Sequence, residues 1–148
     1  QWVAEEVYHN SHYKYKEVAY LLEIDEDVTQ PNQEEEKEIP FMELFANADL
    51  SKGKKVFGKC KACHKLGDGE NGTGPHLYNI IDREMAVISD FKYSSSFKAL
   101  NGNWTYDELN QFLTKPSNYV KGTAMNFAGL GKVSDRANLI AYLEDSTK

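Results

Sequence analysis

Cys60-Lys61-Ala62-Cys63-His64 is the stretch of this sequence that decides the fold. Two cysteines three residues apart lie about one helical turn from each other, so both thiols can reach the edge of one planar ring. The histidine that follows at once can then bind a metal at the centre of that ring. Cys-x-x-Cys-His is the attachment signature of a c-type haem. The pentapeptide therefore predicts one haem c, covalently bound through Cys60 and Cys63, with His64 as an axial iron ligand.

Three other chemistries use a pair of cysteines: a disulfide, a redox dithiol and half of a zinc site. A zinc site normally needs four ligands, and no second Cys or His pair follows this one. A redox dithiol has no need of the adjacent histidine. The chain has two cysteines in all, and both belong to the motif, so their number implies no disulfide framework.

Charge divides the 148 residues into two unequal parts, although the net charge is only −6. Residues 1–48 carry three Lys against twelve acidic residues, a net of −9, whereas residues 49–148 carry fourteen Lys or Arg against eleven acidic residues, a net of +3. We predict an acidic segment or spacer over 1–46 and a haem domain over 47–148. The net acidity argues against a nucleic-acid partner.

The acidic segment gives few structural signals. Residues 29–38 are typical of a solvated linker. The apolar stretch Val18–Ile24 fits a strand and a weak helix face equally well, so both remain open. Residues 39–45 predict a short amphipathic turn that Pro40 begins. No run of about 20 apolar residues is present, so we expect no bilayer-spanning helix within this sequence, and whether an anchor precedes Gln1 stays open.

Helical periods dominate after residue 47, and strand patterns are nearly absent. Asn47 or Asp49 is expected to cap a first helix, and the four glycines of residues 67–75 predict a loop. Residues 105–113 predict a helix that stops before Pro116, and residues 135–143 predict a terminal helix. One face of this first helix carries four residues at helical spacing: Gly53, Val56, Phe57 and Cys60. The haem domain is therefore expected to be all-α, with loops that wrap the cofactor.

Three methionines could supply the second axial ligand. Met42 lies in the acidic segment, where a core or surface role is expected, and the surroundings of Met85 have no distinctive chemistry. Met125 lies in a loop between two predicted helices, flanked by Gly122 and Gly129. A loop methionine beside glycines is a plausible iron ligand, but its position alone leaves the choice open.

Residues 53–143 resemble class I cytochrome c, the mitochondrial and short bacterial type. The matching pieces are Gly53–Phe57, Cys60–His64, Gly74–Leu77, Arg83, Phe91–Ser94, Trp104, Pro116, Tyr119, Gly122–Met125 and Leu139–Leu143. The resemblance implies the class I fold, preceded by a poorly defined acidic extension. Within the family the chain is most similar to the membrane-anchored cytochromes c of α-proteobacteria, which donate electrons to a haem–copper oxidase.

This resemblance also assigns roles to individual residues. It implies His64 as the proximal ligand, with the Pro75 carbonyl accepting its other ring N–H, and Met125 as the distal ligand near Thr123. Arg83, Tyr93 and Trp104 are expected near the haem propionates, although core filling is an equal alternative for Trp104. Contact between the first and last helices is expected through four residues: Gly53, Phe57, Leu139 and Tyr142. The chain departs from the family at Phe112, where a tyrosine is common.

The predicted function is that of a one-electron carrier in a respiratory chain, not an enzyme. The resemblance implies a periplasmic protein, tethered to the inner membrane when full length, that takes electrons from a quinol-oxidising cytochrome complex. Lys59, Lys61, Lys65 and Lys121 are expected to dock redox partners, the alternative being an ordinary solvated face. A peroxidase-like enzyme or gas sensor is the rival function if Met125 is labile. His76 is expected to lie at the surface and not to serve as a distal catalytic histidine.

Overall fold

The computed structural model describes residues 40–147, so the predictions for residues 1–39, including the linker and Val18–Ile24, lie outside it. The described part contains helices and loops, with no strand and one isolated bridge between Glu84 and Asn103. The prediction of an all-α haem domain is confirmed for these residues. The helices are α1 (Phe41–Ala46), α2 (Leu50–Phe57), α3 (Ser95–Lys98), α4 (Tyr106–Thr114), α5 (Pro116–Tyr119) and α6 (Val133–Ser146).

Side-chain caps fix where α2 and α4 begin. The Asp49 carboxylate accepts the backbone N–H of Lys52 at 3.0 Å and so caps α2, which settles the choice between Asn47 and Asp49. The Thr105 hydroxyl caps α4 by accepting the N–H of Glu108 at 3.2 Å. The helix predicted over residues 135–143 extends beyond both of those limits as α6.

The tightest helix contact joins α2 to α6. A Cβ added to Gly53 would lie 2.6 Å from the Tyr142 Cβ and 2.8 Å from the backbone carbonyl carbon of Asn138. Only a residue without a side chain permits this approach. The rings of Phe57 and Tyr142 pack beside the crossing with centroids 5.6 Å apart, and Leu139 is fully buried there. The predicted contact between the first and last helices of the haem domain is confirmed.

Helix α1 packs against α6 and extends the core on the N-terminal side. The Phe45 ring lies 4.6 Å from that of Tyr106, and the Tyr106 hydroxyl donates to Glu144 at 3.1 Å. Pro40 precedes the helix, as predicted for the short turn of residues 39–45. Residues 40–147 belong to one compact unit. The boundary between residues 46 and 47 stays a prediction.

A cluster of aromatic rings fills the space between α3, α4 and α5. Trp104 and Phe112 are buried with ring centroids 5.0 Å apart, and the Phe112 ring meets those of Phe97 and Tyr119 edge-on at 5.9 and 5.7 Å. The long segment between α2 and α3 is tied to this cluster by backbone hydrogen bonds. Trp104 donates to the Arg83 carbonyl at 2.8 Å and accepts from the Asp82 N–H at 3.0 Å.

Candidate haem site

The Cys60–His64 motif occupies a helical turn directly after α2. The N–H groups of Cys63 and His64 both donate to the Cys60 carbonyl, at 3.0 and 2.9 Å, which places two thiols and an imidazole on one turn. Both cysteines are free, Cys60 half-buried and Cys63 exposed. Burial raises the pKa of the Cys60 thiol, which keeps it protonated near neutral pH.

A hydrogen bond orients the His64 ring. Its Nδ1 lies 2.8 Å from the Pro75 carbonyl oxygen, and because a carbonyl only accepts, Nδ1 must carry the proton. The Nε2 lone pair is then free to bind a metal, as in other metal-ligating histidines whose second nitrogen is held by a carbonyl. Burial lowers the pKa of His64, which favours the neutral, ligating form of the imidazole.

The glycine-rich loop closes directly against this imidazole. A Cβ added to Gly74 would lie 2.7 Å from Nδ1 and 2.8 Å from Nε2 of His64, and the Gly74 N–H donates to the Cys63 carbonyl at 2.9 Å. Residues 67–75 form the predicted loop, without helix or strand. An oriented neutral imidazole beside two free thiols is the donor set that covalent haem attachment requires, so these residues fit the group.

Met125 lies between α5 and α6, half-buried and packed against the hydrophobic core. Its backbone N–H donates to the Thr123 hydroxyl oxygen at 3.1 Å. Of the other two methionines, Met42 is 54% exposed on α1, whereas Met85 is 6% exposed in the core. The ligand role of Met125 stays a prediction.

The three residues expected near the propionates have different surroundings. The Arg83 guanidinium donates to the carbonyls of Tyr78 and His76 at 2.8 and 3.0 Å, and burial lowers its pKa. Burial raises the pKa of Tyr93, whose ring stacks on Phe97 at 5.7 Å. Trp104 lies inside the aromatic cluster, as core filling requires. Their role toward the propionates stays a prediction.

The expectation of a surface position for His76 is wrong, because this residue is only 5% exposed. Its N–H donates to the Asn71 side-chain oxygen at 3.0 Å and its carbonyl accepts from Arg83, so the backbone is held on both sides. The ring Nδ1 is buried without a hydrogen-bond partner. Asn71 and Arg83, five and seven residues away in sequence, hold the backbone of His76, and no hydrophobic period marks the position as buried.

The four lysines predicted to dock partners, Lys59, Lys61, Lys65 and Lys121, are all exposed. Three of them lie in a stretch without acidic residues that runs from Asp49 to Asp68. Their exposure fits both a docking face and an ordinary solvated face.

Comparison with known proteins decides the family. The family model described as Cytochrome c matches residues 50–147. The chain belongs to the cytochrome c family. Cytochrome c proteins are electron carriers with covalent c-type haem, and Cys60 and Cys63 supply the attachment motif.

Relatives of this cytochrome c include proteins of α-proteobacteria. A cytochrome c homolog of Rickettsia bellii is 40% identical over 130 residues, which cover 87% of this chain and 75% of the relative. The cytochrome c-type cyt cy of Rhodobacter capsulatus is 49% identical over 96 residues, covering 64% of this chain and 48% of the relative. The chain thus spans about three quarters of one relative and half of the other.

A solved structure shows the same fold. Cytochrome cH from Methylobacterium extorquens superimposes with a TM-score of 0.62 at 31% identity, covering 66% of this chain and 99% of that one. The predicted class I cytochrome c fold is thereby confirmed. Among residues 40–147, no helix has the length and apolarity needed to cross a bilayer.

Proposed function

We propose that this cytochrome c carries single electrons from a quinol-oxidising cytochrome complex to a haem–copper oxidase, through a haem ligated by His64 and Met125. The hydrogen bond between His64 Nδ1 and the Pro75 carbonyl, 2.8 Å, carries the proposal. It fixes the tautomer with a free Nε2 and holds the ring in one orientation in both oxidation states, so little rearrangement accompanies electron transfer.

Met125 completes the proposed ligand set. Haem iron supplies the one-electron chemistry, and a thioether ligand raises its potential, which suits delivery of electrons to an oxidase. If His64 and Met125 both held the iron, no coordination position would be left for a substrate. A carrier needs this closure, whereas a peroxidase or gas sensor needs an open position.

Arg83, Tyr93 and Trp104 are proposed to serve the propionates. The Arg83 guanidinium has five N–H donors, and two of its nitrogens already donate to backbone carbonyls, which fixes its orientation and leaves donors over. Trp104 can add its indole N–H while its ring fills the core. Buried carboxylates need such donors because desolvation without them is costly.

Lys59, Lys61, Lys65 and Lys121 are proposed to steer the protein to acidic partner surfaces. The rate of oxidation by a haem–copper oxidase should then fall as ionic strength rises. A Lys59→Gln/Lys61→Gln/Lys65→Gln variant should lower both the rate and its salt dependence, while Lys98→Gln, an exposed lysine on α3, serves as control. A rate that salt leaves unchanged would contradict steering.

Bacterial cytochrome c homologues are typically periplasmic, and we propose the same location here. The similarity to cyt cy, of which this chain spans 48%, supports a longer protein with room for a tether to the inner membrane. Fractionation of cells that express the complete gene tests this location. Tethering is supported if the protein stays with the membranes after a carbonate wash and added protease can reach the haem domain. Release with the soluble periplasmic fraction contradicts tethering.

The absorption spectrum of the haem-loaded protein tests the ligand set. We expect a sulfur–iron charge-transfer band in the oxidised protein, no spectral change with carbon monoxide after reduction, and no reaction with peroxide. Met125→Ala should abolish the band and open the reduced protein to carbon monoxide. If the wild-type protein lacks the band and binds carbon monoxide readily, Met125 does not hold the iron and the enzyme or sensor function replaces the carrier.

A further inference from the structure

The span that contains Met125 has few bonds to the rest of the molecule. Residues 123–128 make three backbone N–H bonds within the described part, all to acceptors in residues 120–125. These are Thr123 to the Val120 carbonyl at 3.1 Å, Met125 to the Thr123 hydroxyl at 3.1 Å and Phe127 to the Met125 carbonyl at 3.2 Å. Apart from the packing of Met125 and Phe127 against the core, the span therefore depends on its two ends for its position.

The C-terminal end of the span is held from within the core. The Leu130 N–H donates to the Leu113 carbonyl at 2.8 Å. Buried Arg136 donates from one guanidinium nitrogen to the carbonyls of Leu130 and Gly131, at 2.6 and 3.0 Å, and from Nε to Asn110 at 2.7 Å. Because water cannot readily compete for buried charge-assisted hydrogen bonds, this end is firm.

The N-terminal end is tied to α3 by one side-chain hydrogen bond, from the half-buried Ser96. The Ser96 hydroxyl donates to the Gly122 carbonyl at 2.9 Å, across 26 residues of sequence. Gly122 has φ +78°, and a Cβ added there would lie 3.3 Å from the Ser96 oxygen, so this backbone turns directly toward the serine. Gly122 is three residues from Met125, and Ser96 thus acts close to the proposed ligand.

We infer that Ser96 is a positioning residue that keeps Met125 in place on the iron, an inference that rests on the proposed ligation by Met125. Breaking the Ser96 bond releases the N-terminal end of the span from α3 and leaves it held only by its neighbours in sequence, while Arg136 still holds the other end. The span can then swing about residues 130 and 131 and carry the thioether away without unfolding the core.

Helix α3 is a suitable support for such a bond. The Ser94 hydroxyl caps the helix by accepting the Phe97 N–H at 3.3 Å. The Phe97 ring packs on Tyr93 at 5.7 Å and on Phe112 at 5.9 Å, which ties this four-residue helix to the aromatic cluster. These contacts fix the position of α3 and therefore of the Ser96 hydroxyl.

The rate of cyanide binding to the oxidised, haem-loaded protein measures this positioning, because cyanide can bind only after Met125 has left. Ser96→Ala should raise the rate by about twofold to tenfold, the range for the loss of one neutral hydrogen bond. The sulfur–iron band should also disappear at a lower temperature. Ser96→Thr, which keeps the hydroxyl, should restore both properties toward wild type.

Ser95→Ala is the matched control, since Ser95 is an exposed serine of the same helix whose hydroxyl makes no hydrogen bond within residues 40–147. A wild-type rate for Ser96→Ala, or equal acceleration by Ser95→Ala, overturns the inference. If the wild-type protein binds cyanide as fast as Met125→Ala and lacks the sulfur–iron band, the ligation itself fails and the inference falls with it.

Discussion

His64 and Met125, the two proposed ligands, are held by different kinds of contact. The His64 ring has its own hydrogen bond to Pro75, and Gly74 packs against its face. The Met125 side chain packs against the core, makes no hydrogen bond of its own among the described residues, and depends for its position on backbone bonds at Met125 and at both ends of its loop. The proximal ligand is thus fixed at the side chain, whereas the distal ligand depends on the position of a whole segment.

The two ligands are held differently because the residues that contact them lie at different distances along the sequence. Every contact that orients His64 comes from residues 60–75, a stretch that closes on itself in a few turns. The Met125 segment is held by side chains from α3 and α6, which lie 26 and 6 residues from the carbonyls they bind. We therefore expect disturbances of the haem site to be severe on the proximal side and graded on the distal side.

Gly74→Ala should give the largest effect, because the added methyl group would overlap the His64 imidazole and force the ring away from Pro75. Overpacking of this kind costs about 1–3 kcal/mol of unfolding free energy. We expect a lower haem-loaded fraction and a lower denaturant midpoint. Gly131→Ala is the control, since no atom lies within 4 Å of its added Cβ. Equal losses in both variants would show that the proximal loop tolerates displacement.

The same difference explains how far sequence alone could predict this molecule. The Cys60–His64 motif, the candidate cap at Asp49 and the helix that begins beside Thr105 depend on local chemistry or helical period and were predictable, whereas the α2–α6 contact was expected from the resemblance to class I cytochrome c. Helix α3 was missed because four residues are too few to show the hydrophobic period of a helix. The burial of His76 was missed because it lies in an irregular loop without a hydrophobic period, and the bond from Ser96 to Gly122 was missed because it joins polar residues 26 apart in sequence.

Phe112→Tyr should have the next largest effect, on the distal side. Its hydroxyl would enter a cluster of rings, and burying it without a partner should cost about 1–2 kcal/mol of unfolding free energy. If Phe112 also tunes the haem, the midpoint potential should move by roughly 30 mV, which equals about 0.7 kcal/mol for one electron. The free energy is measured by urea unfolding and the potential by redox titration.

Phe57→Tyr is the matched control for that experiment. Phe57 is equally buried but packs against Tyr142 at the α2–α6 contact. A similar loss of stability with an unchanged potential is expected for Phe57→Tyr. If Phe112→Tyr behaves in the same way, Phe112 only fills space and does not tune the haem.

Tyr119→Phe should have the smallest effect, a loss of about 1 kcal/mol of unfolding free energy for one hydrogen bond. The Tyr119 hydroxyl donates to the Glu108 carboxylate and ties α5, which leads into the Met125 loop, to α4. Tyr106→Phe removes the comparable bond to Glu144, which lies at the α4–α6 contact. Both variants should lose similar stability in urea, but only Tyr119→Phe should weaken the sulfur–iron band.

The pH dependence of stability gives a second measure of the Tyr119 bond. Burial and the neighbouring Glu108 raise the pKa of Tyr119 well above its ordinary value of 10. Below pH 10 the hydroxyl is protonated in the folded and unfolded states, and the bond contributes fully. Above pH 10 the unfolded chain releases this proton first, so the contribution falls as pH rises. Urea unfolding at pH 8 and pH 11 should therefore show a smaller decline for Tyr119→Phe than for wild type, and parallel declines would mean that Glu108 does not hold this proton.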